Sequence, residues 1–431
     1  MKKTPIVPRS LLLSFVLVTS LFALWGFAND ITNPMVAAFK NILLITNFES
    51  SLVQLAFYGG YCLMAIPAAL FIRRFSYKTG ILLGLFLYAV GCLLFIPAGN
   101  AMAFWAFLMA YLVMTCGLSF LETTANPYIL SMGEGETATR RLNFAQAFNP
   151  MGSITGMFVA QQLILANLSP ATEAERLALR NVNPSALSAI QQADLGVVST
   201  PYLVLGGVVF AFFLLFLMVR LPKASVLVNK LSLKATLSIL FSNKRYLWSV
   251  LAQTFYVGVQ IMVWTFVIQY AERELGMPKA TAQGYNIAAM AIFVSSRFVC
   301  TFLLKYFKPA QLLSTLAIAG GLFTLGAIFL PNAAFIEGQY FGAYWGLYSL
   351  MAISACMSLM FPTIYGIALR NMGDEAKLAS AGLILAIGGG AIFPPMQGWL
   401  IDVASVRLSF ALPLICFAVM AAYGYRMMRE K

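Results

Sequence analysis

Twelve apolar runs, each close to the length that crosses a lipid bilayer, constrain this chain more than any single motif does. They fall near residues 11–39, 51–73, 79–98, 101–131, 143–167, 200–221, 246–272, 280–305, 310–331, 339–369, 376–401 and 407–427. A helix rising about 1.5 Å per residue needs about 20 residues to span a hydrocarbon core about 30 Å thick. No water reaches that depth, so each run must satisfy its own backbone N–H and C=O groups, which selects helices. The sequence therefore predicts an all-α membrane protein with twelve transmembrane helices. Composition agrees: 61% of the 431 residues are hydrophobic and only 10% are charged, far from the balance of a water-soluble domain. The opening stretch MKKTPIVPRSLLLSFVLV has the basic flank of a signal peptide, but its apolar run continues to Phe39 without a small-residue cleavage site. It reads as a retained first span.

Two longer polar segments interrupt the pattern, at 168–199 and at 222–245. The second divides the chain into six-helix halves, 1–221 and 246–431, joined by a linker over 222–245. Orientation follows from the basic residues. Of the 28 lysines and arginines, 21 lie on the side that holds the N-terminus, the linker and the C-terminus, and six lie on the other side. Basic loops stay inside, so both termini are expected on the cytoplasmic face of an inner or plasma membrane. The net charge of +13 is thus an orientation signal and does not point to a nucleic-acid partner. Arg73-Arg74-Phe75-Ser76-Tyr77-Lys78 after the second span and Lys305-Tyr306-Phe307-Lys308 after the eighth match in place, as a six-plus-six repeat requires. Ordinary basic inner loops also produce such a match.

All six cysteines lie in apolar runs without a C-x-x-C spacing, which argues against disulfide or zinc chemistry. The chain has no histidine, so histidine relays, histidine metal ligands and Ser-His triads are excluded. Proton chemistry falls to Asp, Glu, Tyr or Lys.

An ionisable side chain at membrane depth costs about 2.5–3.5 kcal/mol on insertion scales and marks a functional candidate. Most of the fifteen acids fall in predicted loops, among them Asp194, or at span ends, among them Glu49, Glu272, Glu274 and Asp402. Asp30 and Glu122 remain inside. Asp30 sits in Asn29-Asp30-Ile31-Thr32-Asn33-Pro34, where Pro34 lacks the N–H that would bond the carbonyl of Asp30. A helix broken there suits a cavity wall; a polar cap near the outer surface is the alternative. Glu122 lies in Leu121-Glu122-Thr123-Thr124-Ala125-Asn126-Pro127, with Asn126 one turn on. Asn143, Gln146 and Asn149 recur every three residues in the fifth span and are expected to line one cavity with Glu122, or to serve as interhelical glue. A carboxyl group taken out of water favours its protonated form and releases the proton when the cavity opens, which is the physical basis of proton coupling.

In the second half, Gln253, Tyr256, Gln260 and Trp264 form one face of the seventh span, with Tyr285 and Asn286 from the eighth as additions. Amides for hydroxyls and rings against ring carbons are the chemistry of a sugar site. Arg297 lies in the eighth span and is given a structural or gating role. Gly388-Gly389-Gly390 is read first as a place of close helix packing.

Several segments in order along the chain resemble the fucose permease group of the major facilitator superfamily, the fucose–galactose–glucose:proton symporters. They are Gln54-Leu55-Ala56-Phe57-Tyr58-Gly59-Gly60-Tyr61, Phe75-Ser76-Tyr77-Lys78-Thr79-Gly80-Ile81, the run around Glu122, Arg141 to Asn149, Tyr256-Val257-Gly258-Val259-Gln260, Phe361-Pro362-Thr363-Ile364 and Gly388-Gly389-Gly390. The resemblance implies the major facilitator fold, a central cavity, and uptake of L-fucose or a related hexose with a cation. It also implies working roles for a glutamate in the fourth span and an aspartate in the first. Glu122 matches the glutamate in its full context. The position matching the aspartate is Asn33, and Asp30 stands three residues earlier, about 4.5 Å along the helix and within about 60° of the same face.

The reading that follows is a cation-coupled sugar symporter, with protons and L-fucose first and sodium with glucose or galactose as the alternative. Glu122 is the expected proton carrier. Asp30 is a substrate or coupling partner, or else the holder of a sodium ion. Asn29, Asn33, Asn126, Gln146, Asn149, Gln253, Gln260 and Asn286 are expected to contact hydroxyls, and Tyr256 and Trp264 to stack on the sugar ring. No cofactor is expected. The partners are the sugar, the coupling cation and the lipid bilayer, with the chain acting as a monomer. A passive channel and a membrane-embedded transferase are the readings from other classes; clustered polar groups argue against the first and the lack of histidine against the second.

Overall fold

The computed structural model describes residues 7–133, 141, 144–222, 242–303, 306–330, 334–336, 339–341, 344–369 and 376–429. Asn143 and most of the 222–245 linker lie outside these residues. The helices in order are α1 (Leu12–Thr32), α2 (Met35–Leu43), α3 (Asn47–Arg74), α4 (Tyr77–Leu93), α5 (Phe95–Ala101), α6 (Phe104–Ser131), α7 (Phe148–Val159), α8 (Glu173–Val182) and α9 (Pro184–Met218). They continue as α10 (Lys244–Leu275), α11 (Lys279–Leu303), α12 (Pro309–Phe329), α13 (Trp345–Met357), α14 (Met360–Leu369), α15 (Ala376–Leu385), α16 (Gly389–Val403), α17 (Val406–Ser409) and α18 (Ala411–Arg429). Among the described residues ten helices are long and apolar enough to cross a membrane. The fifth span, around α7, carries a π turn at Ala160–Ile164, and the eighth, α11, carries Gln283, Asn286 and Arg297; these complete the twelve. The first span is longer than predicted, running from Arg9 to Leu43, and it breaks between α1 and α2 where Pro34 was expected to break it.

Two predicted boundaries and the placement of one residue are corrected. The polar segment 168–199 is not a loop: it holds α8 and the first turns of α9, because Thr172 and Asn183 cap both helix starts. Asp194, read as a loop acid, is buried in α9 and pairs with Arg176 at 2.5 Å. The tenth span starts at Trp345 rather than near 339, since β1 (Ala334–Ile336) and β2 (Gln339–Phe341) form a short antiparallel hairpin ahead of it.

Contacts group the chain into two compact units, the first holding residues 1–35, 41–44 and 59–230, and the second 36–40, 45–58 and 231–431. In the first unit α1 and α7 touch backbone to backbone: a Cβ at Gly152 would lie 1.9 Å from the Ala23 carbonyl oxygen. In the second, α10 is buried almost without interruption from Tyr256 to Ala271. Gly389 lets α16 pack against it, since a Cβ there would lie 2.0 Å from the Thr254 carbonyl oxygen. The second unit also takes the first turns of α3. There the Asp402 carboxylate accepts from the backbone N–H groups of Asn47 (3.0 Å) and Phe48 (2.8 Å) and from the Asn47 amide. A carboxylate at the C-terminal end of α16 is electrostatically misplaced on its own helix and well placed at the N-terminus of another. Gln54 donates to Thr265 of α10 at 3.0 Å one to two turns further on.

Candidate functional site

In the first unit the two deep carboxylates sit in different surroundings. The close approach of α1 and α7 brings Ser153 against α1, where its hydroxyl lies 3.4 Å from the Gly26 carbonyl oxygen. Asp30, 1% exposed, accepts a 3.0 Å hydrogen bond from the Asn33 amide and is also hydrogen-bonded by Ser153 and Asn29. Asn33, which stands where the resemblance places an aspartate, is thus bonded directly to the displaced one. Both are joined inside the last turn of α1, just before the break at Pro34.

Glu122 is half-buried on α6, and its carboxylate accepts no hydrogen bond from the described residues. Its backbone carbonyl takes the Asn126 amide at 3.0 Å, and Gln146 in turn donates to the Asn126 side-chain oxygen at 3.2 Å. Three of the predicted residues therefore come together as a chain of amides beside an unengaged carboxylate. Asn149 turns away from this group and donates to the Phe22 carbonyl of α1 at 3.4 Å. The helical spacing of Asn143, Gln146 and Asn149 could not distinguish these directions, because successive steps of three drift by about 60° around the helix.

The predicted face of α10 is present, and its polar atoms are largely unused. Gln253 and Tyr256 are fully buried, and neither the Gln253 amide nor the Tyr256 hydroxyl has a hydrogen-bond partner among the described residues. Each such group costs about 1–3 kcal/mol when buried unpaired. Gln260 is partly buried. Trp264 is 3% exposed and held on several sides: its indole N–H donates to Ser354 at 3.2 Å, its ring stands edge-on to Phe293 at 5.1 Å, and its carbonyl accepts from Asn286 at 3.1 Å. Tyr285 faces Tyr344 edge-on, with ring centroids 6.4 Å apart.

Arg297 has a structural explanation. Span ten breaks between α13 and α14, and Pro362 lacks the N–H that would bond the Ser358 carbonyl four residues earlier. The Arg297 guanidinium supplies it at 3.2 Å and lies over the Phe293 ring at 4.9 Å. Ser153, Ser354 and Gln283 were missed in the sequence. Ser153 follows Asn149 by one turn and Gln283 precedes Asn286 by three residues, so spacing offered a signal for both; Ser354 offered none.

Twelve spans that carry two carboxylates and, among the described residues, buried polar side chains without a partner are the pattern of a membrane transporter rather than of a water-soluble binding module. A family model described as the Major Facilitator Superfamily matches residues 16–387, and the chain belongs to that superfamily. It is 52% identical over 430 residues to a protein of Haemophilus influenzae named L-fucose-proton symporter, covering 98% of each chain. It is 31% identical over 409 residues to a Brucella abortus protein named glucose/galactose transporter, covering 94% of this chain and 92% of that one. A Major Facilitator Superfamily transporter crystallised in the outward conformation matches with a TM-score of 0.71 at 34% identity, covering 97% of this chain and 99% of that one.

Proposed function

We propose that the protein is a proton-coupled sugar symporter importing L-fucose. The observation that carries this reading is identity of 52% along 98% of both chains to an L-fucose-proton symporter, joined to an unengaged carboxylate, Glu122, beside the Asn126–Gln146 amide pair. Glu122 takes the proton when its surroundings are water-poor and gives it up when water enters, while sugar hydroxyls bond to the neighbouring amides. Asp30, held by Asn29, Asn33 and Ser153, acts on the substrate side of the same process. Asn149, Gln253, Gln260 and Asn286 contact hydroxyls, and Tyr256 with Trp264 presents rings to the apolar face of the sugar. The halves 1–221 and 246–431 are the moving parts and 222–245 is the linker, with both termini in the cytoplasm of a bacterial cell and the monomer as the working form.

Sodium fits Asp30 poorly, because the carboxylate is met by the Asn33 N–H where a hard cation needs oxygen ligands. A hexose substrate is the second reading, favoured by the Brucella relative. Counterflow in reconstituted vesicles against L-fucose, glucose and galactose, with an imposed pH gradient and with or without sodium, tests both. Acid-driven accumulation of L-fucose independent of sodium is the expected result; sodium dependence, or transport of glucose and galactose alone, overturns it.

A further inference from the structure

Asn286 and Gln283 lie one turn apart on α11, and both are fully buried. Their hydrogen bonding is directional. The Asn286 amide nitrogen has two protons, and it donates both ways, to the Trp264 carbonyl at 3.1 Å and to the Gln283 side-chain oxygen at 3.3 Å. That fixes the orientation of both side chains. It leaves the Asn286 oxygen as an acceptor and the Gln283 nitrogen as a donor, neither with a partner among the described residues. A lone buried donor or acceptor is readily ascribed to chance; a donor and an acceptor held side by side by a common bond present a defined pattern. The Trp264 whose carbonyl holds Asn286 sets its ring edge-on to Phe293 at 5.1 Å.

We infer that Gln283 and Asn286 form a donor–acceptor pair that binds two adjacent hydroxyls of the sugar, one accepting from the Gln283 nitrogen and its neighbour donating to the Asn286 oxygen. A vicinal diol beside a hydrophobic patch is the matching chemistry, and Trp264 with Phe293 receives the apolar edge of the ring. Gln283 is then a specificity-determining residue, deciding which hydroxyls the transporter demands. This rests on the sugar-symport reading above.

The test is transport of L-fucose and its 2-, 3- and 4-deoxy analogues by the full chain in vesicles, with KM and maximal rate measured separately. In the unaltered protein, removing either of two neighbouring hydroxyls raises KM roughly tenfold, the effect of about one hydrogen bond. Gln283→Met raises KM for L-fucose by a similar factor and abolishes the penalty for one of those two analogues, while the other penalty persists. If Gln283→Met fails to reach the membrane, Gln283→Asn, which withdraws the amide by one methylene, is expected to shrink the same single penalty. Unchanged penalties across the panel, whether KM rises uniformly or only the rate falls, overturn the inference and leave the pair a packing or hydrated contact. Transport of another sugar moves the same panel to that sugar's deoxy analogues. Transport of no sugar by the unaltered protein sinks the parent reading and this one with it.

Discussion

The two units treat buried polarity in opposite ways. The first places carboxylates within its spans, Asp30 hydrogen-bonded by Asn33 and Glu122 accepting no hydrogen bond among the described residues. The second directs the partly buried Arg297 to the Ser358 carbonyl, while buried groups without a partner among its described residues are neutral, among them the Gln253 amide, the Tyr256 hydroxyl, and the Gln283 and Asn286 edges. Each unit also contains a proline-broken span, at Pro34 and at Pro362. The first break sits beside an acid, the second beside a guanidinium. A group that can change charge belongs with an ion that moves, and neutral donors and acceptors belong with a solute that has hydroxyls. Under the proposed function, the contrast puts the proton in the first unit and most of the sugar recognition in the second.

Glu122→Gln tests that assignment hardest. Acid-driven accumulation should collapse to an inside-to-outside ratio of about 1, since the coupling free energy is lost, while counterflow continues. Retained accumulation would move the carrier elsewhere. Asp30→Asn is the companion: it should raise KM about tenfold through one altered hydrogen-bond network and keep the accumulation ratio, and the reverse pattern would exchange the roles of the two acids.

Next in size is a test of stability within the first unit. Arg176→Ala leaves Asp194 buried without its partner and should cost about 3–5 kcal/mol, read as a lower unfolding temperature in detergent, with KM unchanged. The double change Arg176→Met with Asp194→Leu should recover most of that loss.

In the second unit the sign reverses. Gln253→Met removes two buried unpaired atoms and should stabilise the protein by about 1–3 kcal/mol while raising KM for the sugar. A variant that is less stable would mean that Gln253 is structural, and the contrast would fail there. The smallest expected effect concerns the partly exposed cap on α3. Asp402→Ala should weaken it by about 1 kcal/mol, seen as several-fold faster amide exchange at Asn47 and Phe48.

Much of the fold was legible because membrane depth leaves the chain few options: runs of about 20 apolar residues become helices whatever their neighbours are. Spans two, three, seven, nine and twelve end within a few residues of their predicted limits. The misreadings came where polarity was taken for exposure. Asp194 and Arg176 are polar and yet fully buried, because each neutralises the other, and a polar composition cannot reveal a partner eighteen residues away. Among the candidate residues, Glu122, Asn126 and Gln146 were identified together correctly as neighbours. The direction of Asn149 and the fixing of Trp264 by Ser354 were not, since helical spacing gives an angle on one helix and says nothing of what faces it.

The sequence alone determined that this chain is a twelve-helix membrane protein, that two acids lie at depth in it, and that Pro34 breaks the first span. Those follow from local rules: the free energy of apolar residues in lipid, the cost of a charge there, and the missing N–H of proline. Only the tertiary structure decided that Asn33 bonds Asp30 while the Glu122 carboxylate accepts no hydrogen bond among the described residues, that Arg297 reaches the Ser358 carbonyl of a broken helix, and that Asn286 orients Gln283. Each of these is a choice among partners on neighbouring helices, fixed by how closely the helices approach, and the approach is set by packing across the whole unit.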